Sequence, residues 1–180
     1  MIEPLLCDLS APGRQGFRYP EPDVPLAPLP ENLTRQNLPT LDRSLADDAA
    51  ELAKGAYVLS DFGEKEPDLI LMASGSEVSL VYEAAARLAA EGVNVRAVSF
   101  PSWELFEEQD EAYRESVLPK RTQKRLAVEA GAGLGWERYV GCEGAILSMD
   151  RFGASAPGKI LFEKFGFTLE NVIQKARELL

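Results

Sequence analysis

From about residue 45 onward, hydrophobic and polar positions fall into two alternating kinds of segment. Asp68-Leu69-Ile70-Leu71-Met72-Ala73 is a short run that stays apolar after its first residue. A strand covered on both faces reads this way. Residues 77–91 carry a helical period instead, with Val78, Val81, Tyr82, Ala85, Leu88 and Ala89 on one side. Gly92 stands where a helix commonly ends. The same reading predicts strands over 55–61, 93–100, 125–130 and 145–149. It predicts short helices over 101–106, 110–116 and 136–140, and two closing helices over 157–165 and 168–180.

Strands that alternate with helices need crossover connections. The expected fold is therefore a compact, doubly wound α/β domain, with a mostly parallel five-stranded sheet and helices on both faces. The link over 62–67 is too short for a crossover. The first strand is thus expected to run antiparallel to its neighbour, or not to lie beside the second strand.

The beginning of the chain has a different character. Pro4, Pro12, Pro20, Pro22, Pro25, Pro28 and Pro30 are seven of its twelve prolines. Proline fixes φ and removes a backbone donor, so neither helix nor central strand persists through such a stretch. Residues 1–31 are expected to form a disordered arm, 32–44 a linker, and 45–180 the folded domain.

Composition narrows the function. With 19 basic and 29 acidic side chains the net charge is −10. Nucleic-acid binding needs a basic footprint, and anionic membranes repel an acidic protein, so neither partner is expected. No apolar run is long enough to cross a bilayer, and the first residues do not resemble a secretory signal. Cys7 and Cys142 form no metal-ligand spacing. A cytoplasmic location is the economical expectation. The chain has no histidine, the side chain whose ordinary pKa lies nearest neutrality. An autonomous active site becomes a poorer expectation for that reason.

Three loops invite a chemical reading. Ser74, Gly75 and Ser76 follow a strand and open a helix, a place that can hold an anion. Ser74 and Glu77 are also spaced as a capping box, which would satisfy the same donors internally. Gly131-Ala132-Gly133-Leu134-Gly135 departs from dinucleotide-binding spacing, and close packing accounts for its glycines. Residues 153–160 match a phosphate-binding loop except at the last position, where Ile160 replaces the hydroxyl that holds magnesium. Glu104, Glu107, Glu108, Asp110 and Glu111 read as a solvated acidic surface. Glu129 ends a buried strand and is the better candidate for a tuned carboxyl group. Trp103 and Trp136 read as core or interface anchors.

Several segments, taken in order, resemble the transketolase family. They are Thr34-Arg35-Gln36-Asn37-Leu38-Pro39, Gly55-Ala56-Tyr57-Val58-Leu59, Ala73-Ser74-Gly75-Ser76-Glu77-Val78 and Val98-Ser99-Phe100-Pro101-Ser102-Trp103. Ala127-Val128-Glu129-Ala130-Gly131, Phe152-Gly153-Ala154-Ser155-Ala156-Pro157 and Phe165-Gly166-Phe167-Thr168 continue the series. The resemblance runs from about Thr34 to the C-terminus and is to the family's third, C-terminal domain, with the last residues of the preceding pyrimidine-binding domain. It implies a parent enzyme that moves a two-carbon ketol unit between sugar phosphates. Thiamine diphosphate and a divalent metal, Mg or Ca, would then bind the two preceding domains and not this one. By the same resemblance Arg35 would bind the phosphate of the sugar. Expected partners are the N-terminal transketolase domains or a second copy of the chain. The chain alone is expected to be non-catalytic, with a structural, assembly or regulatory role. The alternatives are an independent phosphate-binding regulatory module and one subunit of a split transketolase. Residues 1–31 do not resemble the strand expected before Thr34, which suggests a truncated or frame-shifted gene.

Overall fold

The computed structural model describes residues 49–180. The expected arm over 1–31, the linker over 32–44 and Arg35 lie outside the described residues.

A 3-10 helical stretch over Ala49–Lys54 leads into five strands: β1 (Tyr57–Phe62), β2 (Leu69–Ala73), β3 (Val95–Ser99), β4 (Arg125–Val128) and β5 (Ala145–Leu147). Between and after them come α1 (Glu77–Ala90), α2 (Trp103–Glu107), α3 (Glu111–Val117), α4 (Glu137–Val140), α5 (Gly158–Phe165) and α6 (Leu169–Leu179). The 3-10 stretch is not foreseen in the sequence. Elsewhere the expected elements are present, with ends displaced by at most two residues.

The strands lie in the order β1-β3-β2-β4-β5. β2 pairs in parallel with β3 and β4, and β4 in parallel with β5. β1 runs antiparallel along β3. Both expectations for the first strand hold together: it is antiparallel, and it is not beside β2. The short turn thus carries the chain from β1, on the outer edge of β3, across the end of β3 to β2. At that edge Arg96 on β3 clamps Asp61 on β1 through two nitrogens, at 2.7 and 2.8 Å, and donates on to the Ser116 and Val117 carbonyls.

Alternation along β2 builds two cores. Leu69, Leu71 and Ala73 face Val81, Ala84, Ala85 and Leu88 of α1, and Val172 and Ala176 of α6. Ile70 and Met72 face the other way, into a cluster with Val98, Phe100, Phe106, Val117, Trp136 and Tyr139. All five β2 residues are fully buried, which is why the run has no polar alternation. Each large apolar side chain so buried stabilises the fold by about 1.5–3 kcal/mol. α6 is set by its own cap, Thr168 accepting from the Asn171 N–H at 3.3 Å. α5, by contrast, has no fully buried residue. Among the described residues no helix is long and apolar enough to cross a membrane.

Candidate functional site

β2 and β4 are parallel neighbours, with Ala73 paired to Val128 at their C-terminal ends. The chain leaves β2 toward β3 on one side and leaves β4 toward β5 on the other. Such a divide opens a crevice beyond the strand ends, the usual place for a ligand in this class of sheet. One rim is Ser74-Gly75-Ser76 entering α1; the other is the turn from Glu129 to Gly135.

The chain fills this crevice with its own carboxylates. Ser74 Oγ donates to Glu129 Oε2 at 2.8 Å, and Ser76 Oγ donates to Glu77 Oε1 at 2.7 Å. The capping box is therefore not formed. The helix N-cap is Ser76, in αR geometry and without a side-chain cap, while the Ser74 hydroxyl is spent across the crevice. A residue already in helical geometry cannot fold its hydroxyl back onto the N–H groups ahead of it. Glu77 is 4% exposed, which the sequence does not reveal because a first-turn glutamate normally faces water. Burial pushes its carboxyl up from the ordinary value; the Ser76 hydroxyl opposes this, and the charge of Glu129 adds to it. The backbone N–H groups of Glu77 and Ala130 also favour the charged form. Only the adjacency of β2 and β4 brings Glu77 and Glu129 together, and spacing along the chain cannot show it.

The glycine turn packs closely, as expected, but against side chains rather than a ligand. A Cβ at Gly133 would meet Ser148 Oγ at 2.7 Å, and one at Gly135, where φ is +96°, would strike the Trp103 ring at 2.5 Å. Trp103 and Trp136 serve as anchors. Their rings meet edge to face at 5.5 Å, and Trp136 is 1% exposed. The five acidic side chains of the acidic stretch are exposed, yet Glu107 and Asp110 among them have structural work. Glu107 accepts from Tyr139 Oη at 2.9 Å and pairs with Arg114, and Asp110 caps α3 through the Tyr113 N–H. The phosphate-loop look-alike over 153–160 is exposed at every residue, and nothing lies within 4 Å of a Cβ built at Gly153.

Among the described residues no group of three or more His, Cys, Asp or Glu side chains is arranged to hold a metal ion. The residues do not fit thiamine diphosphate either. Its diphosphate would meet Glu77 and Glu129 in the crevice, and the Ser74 and Ser76 hydroxyls are already given to those carboxylates.

Residues 55–168 match the family model described as the transketolase-like TK C-terminal domain. A Nostoc transketolase is 54% identical over 147 residues, covering 82% of this chain and 21% of its own length. The chain thus spans about a fifth of the curated relatives it matches. The solved transketolase from Leishmania mexicana superposes with a TM-score of 0.65 at 42% identity, covering 72% of this chain and 18% of its own. A split-gene transketolase, an inactive beta4 tetramer, shares the fold at a TM-score of 0.57 and 18% identity, covering 81% of this chain and 48% of its own. Sequence and overall fold agree, and the chain belongs to the transketolase family through its C-terminal domain.

Proposed function

We propose that this chain supplies the C-terminal domain of a transketolase, and that it transfers no ketol unit unaided. The observation that carries this reading is the extent of the match, about a fifth of each full-length relative and confined to the C-terminal domain. The absence of histidine from all 180 residues supports it, because the side chain whose ordinary pKa lies nearest neutrality, and the commonest general acid and base, is missing. Thiamine diphosphate and its Mg or Ca ion belong, on this reading, to the other domains of a cytoplasmic enzyme. Arg35 would reach the sugar phosphate only when those domains are in place. This domain's share is structural: a rigid, doubly packed sheet on which the rest of the enzyme assembles.

The test is a ketol-transfer assay with thiamine diphosphate, magnesium and sugar phosphates. The purified chain is expected to show none, and to gain activity only with a polypeptide carrying the preceding domains. Turnover by the chain alone would sink the reading. Activity on mixing would make it one half of a split enzyme, an arrangement lent support by the split-gene transketolase with a similar fold.

The second reading, a phosphate-binding regulatory module at Ser74, Gly75 and Ser76, rests on the position of these residues at the strand-end crevice. The carboxylates of Glu77 and Glu129 weigh against it, since they already occupy the positive end of α1. Titration with inorganic phosphate is expected to leave the thermal midpoint unchanged. A saturable rise of a few degrees would favour the regulatory module instead.

A further inference from the structure

Residues 152–157, one of the segments through which the chain resembles transketolase, take no part in the packing of their own domain. All eleven residues from 150 to 160 are exposed. Phe152 is 97% exposed and Ile160 47% exposed. Leu134, 83% exposed, leaves the same end of the sheet on the loop after β4, the strand beside β5. The two loops are in contact at their roots, where Met149 N–H donates to the Gly131 carbonyl at 2.8 Å. A phenylalanine held almost wholly in water forgoes the stabilisation that burial would return. Nothing inside this domain returns it.

Charge sets the segment apart as well. Residues 150–160 carry Arg151 and Lys159 against Asp150, two positive charges to one negative, in a chain whose net charge is −10. The surface is apolar at its centre and cationic at its rim, whereas the surrounding domain is acidic. A second copy of so acidic a chain would be repelled over most of its approach. About four fifths of each full-length relative lies outside the matched region, which is ample chain to cover it.

We propose that residues 150–160 together with Leu134 form a docking surface for the transketolase domains that precede this one in the full-length relatives. Phe152 is the central anchor, and Arg151 and Lys159 face acidic side chains of those domains. This rests on the functional reading above, and the experiment separates the two. In the free 180-residue chain, amides over 150–160 are expected to exchange rapidly with solvent. In a hybrid holoenzyme, residues 32–180 replace the matching fifth of the Nostoc transketolase. There the same amides are expected to exchange about tenfold more slowly or better. Phe152→Glu with Leu134→Glu should reverse that protection, while leaving the thermal midpoint of the free chain in place because neither residue is in its core.

Unchanged exchange over 150–160 in the hybrid, active or not, overturns the docking surface. An active hybrid with unchanged exchange would leave the functional reading standing. A hybrid that is protected but inactive would uphold the surface and count against the function. Sedimentation of the free chain gives an independent readout. Dimers that the double variant dissolves would assign the surface to a second copy and overturn the proposal.

Discussion

Glu77 shows how little of a residue's role is fixed by its type. It opens a helix, where a carboxylate ordinarily sits in water near the positive end of the dipole, yet here it is buried against Ala130 and Glu129. Its folded pKa is raised, so the native state keeps a proton at pH values where the unfolded chain has lost it. The stability this contributes is full below the ordinary value of 4.5 and is lost as pH rises through the folded pKa. Glu77→Gln cannot titrate. Urea unfolding at a series of pH values should therefore show the gap between wild type and variant moving in favour of the variant above pH 4.5. The slope for a single proton stays below about 1.4 kcal/mol per pH unit. Parallel profiles would mean that Glu77 titrates as it does in the unfolded chain. Burial was not legible here, because it depends on Glu129 arriving from a strand distant in sequence. Serine spacing misled for the same reason: Ser74 and Glu77 stand three apart, but a stronger acceptor reaches Ser74 from β4.

At the scale of elements, periodicity was an adequate guide. The unbroken apolar run at β2 correctly implied a strand covered on both faces, and the apolar side of α1 packs where its spacing put it. The 3-10 stretch before β1 escaped because its few residues carry no repeat long enough to read. The short helices α2 and α4 owe their places to packing more than to propensity. Trp136 lies edge to face with Phe100 at 5.4 Å and with Trp103 at 5.5 Å, joining the loop after β4 to the loop after β3. Trp136→Ala is expected to cost about 3–5 kcal/mol in denaturant unfolding, the range for emptying a large aromatic site. A loss under about 1 kcal/mol would show that the cluster closes over the gap and does not hold the two loops. Gly135 belongs to the same arrangement, since its positive φ lets the turn pass over the Trp103 ring.

For the molecule as a whole, the sequence by itself determined the class of fold, the two-faced burial of its central strand and the family. Each is written in local pattern: apolar runs, helical periods, and a series of short motifs in a fixed order. It also determined the lack of histidine and the acidic balance, which need no structure to read. Tertiary structure alone decided the strand order, and with it the crevice between β2 and β4. That order pairs strands far apart in the chain, β2 with β4 across 55 positions as with Ala73 and Val128, so no local signal encodes it. It decided that the crevice is filled by Glu77 and Glu129 rather than left open to an anion. It decided, too, that the motif at residues 152–157 faces outward. A motif marks that a segment matters to a family, but whether its side chains pack inward or wait for a neighbour depends on which surfaces the folded sheet leaves uncovered.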